Sequence, residues 1–532
     1  MPKPGSTRRA HLRAMASVAL SGLAPAGAGV LAGCDRSKKK KTEVAEGADA
    51  AEPADGAQGA KTSAVQKTHG TSPRQGRAGQ PHVLFISIDD LNDWVGCLGG
   101  HPQCITPNLD KLAAASTLFT NAHCAGPNCN ASRTSTLTGL RPSSTGIYAN
   151  NQPWRPHLPD AITIPEMFRK SGYRTIGAGK LFHGGYVDER GWDDYFPKIC
   201  RQRPNDPRVE GKPLNGIPRT GHFDWGAIDV DEEDMADAKV AKWVVENLPR
   251  KGAPPTFLAC GLYRPHLPWF VPRKYFKKFP LDKIILPEVK KGDRKDIPRD
   301  AFKDLPHGKD HKKVKQNGQW EIAVQAYLAS CAFADTMLGR VIDGLEKSGA
   351  MEDTVVVLWS DHGWHLGEKL RWRKFTLWEE ATRVPLMFKV PGAPAGECPE
   401  AASLMDVYPT LVELCDLQDP PLVEGTSLVP LIDNPSLHQS RGAVTSWGPD
   451  AHSVRTRQFR YTRYSEGGRE LYDHDVDPGE FDNLAERKEH QSLIKDLDKR
   501  LPKRGSAPAP TRKSYTRAQL ACRGEVIEED DD

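Results

Sequence analysis

Hydrophobic positions along this chain gather into short unbroken runs, and each run stops abruptly at charged residues. Val83 to Ile88, within PHVLFISIDD, is apolar apart from Ser87 and ends at Asp89 and Asp90. Thr354 to Trp359, within DTVVVLWSDHG, leads to Asp361 and His362. The run in YRTIGAGKLFH leads to Lys180 and His183, that in TFLACGLYRPHLP to His266, and ATRVPLMFKVPG holds a further run of the same type. Apolar stretches of this length, without polar alternation, predict strands buried on both faces of a parallel sheet.

Between these runs the spacing becomes helical. TPNLDKLAAAS opens at Thr106 and Pro107, IPEMFRKSGY has Pro165 in its first turn and Gly172 as its stop, and the amphipathic AYLASCAFADTMLGRVIDGLEKSG ends at Gly349. Strands alternating with helices predict an α/β fold: a large, mostly parallel sheet flanked by helices. Ligands of such sheets bind beyond the carboxyl ends of the strands, where the polar residues fall. A solvated turn explains any one of these ends. Several carrying Asp-Asp, Lys-x-x-His, His and Asp-His predict one site, assembled from residues as distant as Asp89 and His362.

The charges of that site are mutually consistent. Asp89, Asp90 and Asp361 brought together would repel one another unless a cation sat among them, and carboxylates from separate loops suit calcium or magnesium, calcium tolerating irregular geometry best. Lys180, Arg133, His183, His266 and Lys374 would surround that centre, and cations around a metal imply an oxyanion as ligand. Within PNCNASRTSTLTGLRP, Cys129 opens a helical stretch that stops at Gly139 and stands four residues before Arg133. Taken alone it reads most readily as a buried thiol, with a metal ligand, half of a disulfide and a nucleophile as the other readings.

Composition narrows the choices. At 532 residues the chain can hold one large core and a smaller companion. Its 73 basic and 69 acidic residues nearly cancel, which argues against bulk nucleic-acid binding. Eleven cysteines, thinly spread and without Cys-x-x-Cys, argue against a disulfide framework or structural zinc, while a Cys97–Cys104 pair stays open. Residues 1–34 join the Arg8-Arg9 pair to an Ala- and Gly-rich apolar run ending in Leu-Ala-Gly-Cys. That order resembles a bacterial twin-arginine export signal with a lipoprotein box. It makes Cys34 a lipidated first residue, the only membrane attachment, on an exported periplasmic or cell-surface protein. Residues 35–80 have scarcely any large apolar side chains and read as a flexible linker.

Cys129-Asn130-Ala131-Ser132-Arg133 followed by Leu-Thr-Gly resembles the signature of the type I sulfatases, in which Ala131 stands where proline is commoner. Asp89-Asp90, Gly179-Lys180 with His183, and Ser360-Asp361-His362-Gly363 extend the likeness over roughly residues 80 to 485. GLYRPHLPW, SDHGWHLGEK and WRKF…ATRVPLMF are similar to the iduronate 2-sulfatase branch. The resemblance implies an alkaline-phosphatase-like fold over 81–435 with a smaller C-terminal α+β subdomain over 436–525. It implies hydrolysis of sulfate esters, with Cys129 converted to formylglycine by a formylglycine-generating maturation enzyme. The metal, most consistent with Ca2+, would be held by Asp89, Asp90, Asp361, His362 and the diol derived from Cys129. The catalytic set would be Cys129, Arg133, Lys180, His183, His266 and Lys374, with His183 as the base and His266 and Lys374 on the sulfate. Lys369, where many members have histidine, bears on substrate contacts, and His365 is left as a packing residue.

A sulfated carbohydrate is the implied substrate, and the basic stretch 288–315 reads either as a solvated loop or as a rim attracting such polyanions. Two alternatives stay open. One is a phosphomonoester or phosphonate hydrolase of the related fold, which serine or threonine at position 129 would favour. The other is a non-catalytic sulfatase-like domain that binds sulfated glycans.

Overall fold

The computed structural model describes residues 80–306 and 308–516. The expected export signal over 1–34, the lipidation site Cys34 and the linker up to residue 79 lie outside the described residues.

Eight strands form the central sheet: β1 (His82–Ile88), β2 (Thr117–Phe119), β3 (Arg174–Gly179), β4 (Asp194–Phe196), β5 (Thr256–Leu262), β6 (Thr354–Ser360), β7 (Leu386–Lys389) and β8 (Gly396–Cys398). Their order is β8-β2-β7-β6-β1-β5-β3-β4. All share one direction except β7, which runs antiparallel to both β6 and β2. The run in ATRVPLMFKVPG is therefore a strand, but not one of the parallel type that its composition predicts. The connection from β6 holds the two-stranded ribbon His365–Leu366 with Trp372–Arg373 and the short helical turns Glu368–Leu370 and Glu379–Thr382, not the crossover helix that a parallel neighbour needs.

Side chains alternate across the sheet and build a core on each face. Val83 and Phe85 pack with Phe257, Val355, Val357 and Trp359 on one side. Leu84, Ile86 and Ile88 pack with Leu258, Leu262, Val356 and Leu358 on the other. The main helices are α1 (Pro107–Ala114), α2 (Cys129–Thr138), α3 (Ile164–Lys170), α4 (Ala236–Glu246), α5 (Trp320–Ser348) and α6 (Val407–Leu414). Helices α3 and α6 cover the first face through Met167, Phe168, Val407 and Leu411. Helices α4 and α5 cover the second through Val240, Val244, Leu328 and Leu338. Helix α5 is long and apolar enough to cross a membrane, yet its apolar residues are buried in this core. It begins six residues before the expected start at Ala326, where Trp320 donates its indole N–H to Leu366 O at 2.6 Å.

Strands β9 (Ala443–Trp447), β10 (Ala451–Arg455), β11 (Phe459–Arg463) and β12 (Arg469–Asp473) form a separate antiparallel sheet in sequential order, backed by α7 (Gln491–Asp498). Val454, Tyr461 and Leu471 pack with Ile494 and Leu497 between them. A buried ion network fastens this sheet to the larger region. Arg460 pairs with Glu379 and Glu480, and Arg455 Nε donates to Glu379 Oε2 at 3.2 Å. Lys369 joins it, donating to Asp293 Oδ1 at 2.9 Å and to Glu480 O. The Lys369 ammonium is thus buried in an ion network.

The basic stretch 288–315 is more than a solvated loop. Asp293 and Asp300 are buried, and residues Arg299–Asp304 and Asp310–Gln316 are helical. Lys290 pairs with Asp482 at 2.9 Å, Arg294 lies 4.5 Å over the Phe302 ring, and Asp310 pairs with Arg373 at 2.9 Å. The stretch is packed between the C-terminal sheet and the loop that carries Lys374.

Candidate active site

Strand register brings the site together. Ile88 of β1 lies opposite Leu262 of β5 and Ser360 of β6, and Gly179 of β3 lies opposite Gly261. The residues after these four strands therefore emerge side by side: Asp89 and Asp90, Tyr263 to His266, Asp361 and His362, and Lys180. Gly261 makes the closure possible. A Cβ there would stand 2.2 Å from Lys180 O, a position that Ser87 Oγ and Arg133 Nη1 reach with hydrogen bonds of 3.0 Å each.

Helix α2 brings the remaining part. Asn128, in extended conformation, caps it by accepting from Ala131 N–H at 3.1 Å. This places Cys129 in the first turn, fully buried at the positive end of the helix dipole. Arg133, one turn later, lies on the same side. Its Nε donates to Asp361 Oδ2 and its Nη2 to Asp89 Oδ1, both at 2.8 Å. Ser132 Oγ donates to Asp361 O and ties the helix to the end of β6.

Asp90, Cys129, Asp361 and His362 each offer one ligand atom within 4.8 Å of the others. His362 Nε2 is 3.3 Å from Asp90 Oδ1, 3.4 Å from Asp361 Oδ2 and 3.3 Å from Cys129 Sγ. Asp90 Oδ2 is buried without a hydrogen bond. Two carboxylates, one of them with an orphaned oxygen, fit a hard divalent cation, with the imidazole as a softer additional ligand. Asp89 stands apart from these four, because Arg133 takes one of its oxygens and Lys180 Nζ lies 2.7 Å from the other. Glu379, His474 and Glu480 are spaced like ligands too, but the Arg460 guanidinium already balances their charge.

Burial and pairing pull the two adjacent acids apart. Burial alone would raise Asp89, but Lys180 and Arg133 outweigh it and hold the carboxyl well below the usual range. For Asp90 burial prevails over His266 and Lys374, and its pKa is raised. Burial also raises the Cys129 thiol, against the pull of Lys374 and Lys180, so the unmodified cysteine is a weak nucleophile. Burial lowers His362, leaving a neutral imidazole suited to a metal.

The remaining predicted residues fall around this centre. Lys374 Nζ stands 3.1 Å from Cys129 Sγ and 3.1 Å from Asp90 Oδ1. His266 Nε2 lies 3.8 Å from Asp90 Oδ2, its Nδ1 held by Leu267 O at 2.6 Å. His183 is buried on the loop after β3 with its ring 6.0 Å from that of Tyr186. His365 packs, with Nε2 on Thr376 Oγ1 at 2.7 Å and burial pushing its pKa down to about 3. Cys97 and Cys104 are free thiols. The sequence reading missed Tyr263, whose ring lies 5.1 Å from Lys180 Nζ and 4.6 Å from the His266 ring. It also missed Ser132 as a tether. Asn128 was legible in principle, as an Asn directly preceding a helix start.

Comparisons with known proteins identify the family. The family model described as Sulfatase matches residues 81–417, and that described as N-sulphoglucosamine sulphohydrolase, C-terminal, matches 367–506. A protein named Sulfatase from Formosa agariphila is 38% identical over 444 residues, covering 81% of this chain and 88% of its own. Iduronate 2-sulfatase of Homo sapiens is 33% identical over 384 residues, covering 66% of this chain and 68% of its own. Among solved structures, phosphonate monoester hydrolase SpPMH from Silicibacter pomeroyi covers 79% of this chain and 94% of that chain, with a TM-score of 0.66 at 22% identity, a likeness of fold alone. The chain therefore belongs to the sulfatase family, hydrolases of sulfuric esters built on an alkaline-phosphatase-like fold.

Proposed function

We propose that this sulfatase cleaves sulfate esters of a carbohydrate through a formylglycine made from Cys129, with one divalent cation, calcium by preference. The observation that carries the reading is the position of Cys129 Sγ, 3.1 Å from Lys374 Nζ and 3.3 Å from His362 Nε2 within the ligand quartet. The sulfur stands in for the oxygens of the matured side chain. Once oxidised and hydrated, that side chain supplies two hydroxyls, one to attack sulfur and one to expel sulfate afterwards. A dication held by Asp90, Asp361 and His362 would supply positive charge for the attacking oxygen and the ester, and Asp89 would join as a further ligand once Lys180 gives up its Oδ2.

The chain's own residues supply the rest. Arg133 fixes Asp361 and Asp89 and thereby the geometry of the ligand set. Lys180 and Lys374 bring fixed positive charge to where negative charge develops, in a site without bulk water to screen it. His266 and Lys374 are the proposed partners of the sulfate and the departing alcohol oxygen, as acid or as charge stabiliser, and His183 is the proposed base that takes the proton of the second hydroxyl. The iduronate name of a relative and the basic 288–315 segment both favour an acidic, sulfated sugar. Export and anchoring through Cys34 belong to this proposal and rest on the sequence.

Two measurements test it. Mass analysis of the Cys129 peptide from protein made in a host with the maturation enzyme should find the aldehyde. Assay on defined sulfated saccharides, with aryl sulfate and a phosphonate monoester alongside, should give fastest release from a saccharide. A cysteine left unmodified in fully active protein removes the formylglycine reading, and faster phosphonate cleavage favours the rival hydrolase.

A further inference from the structure

Lys374 lies on a strained piece of backbone. The residues on both sides of it, Arg373 at φ +69° and Phe375 at φ +72°, occupy the left-handed region without being glycine. Side chains disfavour that region, and such residues persist only where their surroundings hold them. Arg373 pairs with His365 in a short antiparallel ribbon and its guanidinium lies 4.6 Å over the Phe223 ring, and three further contacts reach this segment. Arg373 Nε donates to Asp310 Oδ2 at 2.9 Å. Phe375 N–H donates to Pro127 O at 2.9 Å, two residues before Cys129. The Phe375 ring meets that of Trp447, centroids 5.8 Å apart at an interplanar angle of 62°.

Trp447 is itself anchored, its indole N–H donating to Asp304 O at 2.7 Å. It closes β9, the edge strand of the C-terminal sheet. The same strand grips the chain ahead of Cys129: Ser446 N–H donates to Ala125 O at 2.9 Å, and Thr445 Oγ1 to Cys124 O at 2.6 Å. One edge strand thus holds both sides of the gap across which Lys374 Nζ faces Cys129 Sγ.

We infer that the Phe375–Trp447 contact is a latch keeping the Lys374 ammonium at the reacting centre, so that Trp447 is a positioning residue for sulfate-ester hydrolysis. The inference rests on Lys374 acting in the reaction as proposed above. Both rings are half-buried and neither enters the two main cores, though Trp447 packs on the edge of a smaller core around Leu377 and Trp378. A released segment can relax toward ordinary backbone angles and withdraw the ammonium, and small misplacements of a catalytic group lower turnover more than binding.

The test uses matured enzyme and a small aryl sulfate, which touches little beyond the reacting centre. Trp447→Ala should lower kcat about tenfold or more with KM within about twofold. Trp447→Phe, which keeps a ring but loses the indole N–H, should recover most of that loss. Phe375→Gly is the second variant, since glycine accepts the positive φ without strain and the chain should still fold. It should lose kcat as Trp447→Ala does. Adding Trp447→Ala to Lys374→Ala should cost nothing further, because the latch has nothing left to hold. Full kcat in folded Trp447→Ala or Phe375→Gly overturns the latch, as do equal losses in Trp447→Phe and Trp447→Ala or multiplicative losses in the double variant. Full kcat in Lys374→Ala removes the role of Lys374 itself, a failure distinct from that of the latch.

Discussion

Lys374 Nζ and Cys129 Sγ, 245 positions apart in the chain, stand 3.1 Å apart with no bulk solvent between them. An ammonium so placed assists any anion that forms at position 129. It cannot by itself make the buried thiol a useful nucleophile, because burial raises the thiol pKa despite the nearby cations.

Cys129→Ser should therefore fold normally and fail to turn over. The serine is nearly isosteric, but a host enzyme that leaves it unmodified provides neither an aldehyde nor a second hydroxyl. Circular dichroism and sulfate release check the two halves. Multiple turnovers by protein shown by mass to carry plain serine would sink the mechanism.

Arg133 is the buried cation between two acids, so its removal strands both. Arg133→Ala should cost about 3–5 kcal/mol of stability, the range for breaking a buried ion pair. Arg133→Lys keeps the charge but not the fork that reaches Asp89 and Asp361 together. It should lose less stability than Arg133→Ala while still losing most activity. Denaturant unfolding with parallel assays would reveal the contrary result, a lysine variant of full activity.

Removal of the metal should abolish activity reversibly, with calcium restoring it best. Asp90→Asn and Asp361→Asn should each lower bound metal measured by elemental analysis, and activity should fall in step. Chelator-treated protein that is metal-free and fully active would contradict the site.

The Glu379–Arg460–Glu480 network predicts an acid limit to stability. Burial works against the Glu379 carboxylate, but Arg455, His474 and Arg460 outweigh it and hold its pKa well below the ordinary 4.5. A depressed carboxyl binds its proton more weakly folded than unfolded. Its stabilisation is therefore complete above about pH 4.5 and is lost as pH falls from there toward the folded value. Glu379→Gln should lower Tm at neutral pH, and the gap to the unsubstituted protein should narrow below pH 4.5. Calorimetry that found a constant gap across that window would remove the network from the account.

Lys291 and Lys295 are exposed cations near the start of the basic segment, where Lys290 is paired with Asp482 and Arg294 is half-buried. Each contributes on the order of 1 kcal/mol or less to a polyanion, screened by salt. Lys291→Ala with Lys295→Ala should raise KM for a sulfated oligosaccharide at low ionic strength and leave an aryl sulfate unaffected. Equal losses on both substrates would refute the rim.

Strands β1, β3, β5 and β6 and the polar residues at their ends were legible along the chain. An apolar run is a local property, and an α/β sheet presents its ligand residues at one predictable end. The start of α2 at Cys129 was legible for the same reason, as a helix that stops at Gly139. What the local pattern could not settle was pairing. The run Leu386–Lys389 reads the same in either direction, and only its neighbours make β7 antiparallel. Lys369 and Lys374 share one cationic segment, and their partners became visible only when folding brought Asp293 and Glu480 to the first and Asp90 to the second. Asp89 and Asp90 are adjacent, yet Arg133 and Lys180 claim one while the other keeps a buried oxygen for a cation. A charge's role depends on its nearest opposite charge, and for these residues that partner lies tens to hundreds of residues away, beyond the reach of any local pattern.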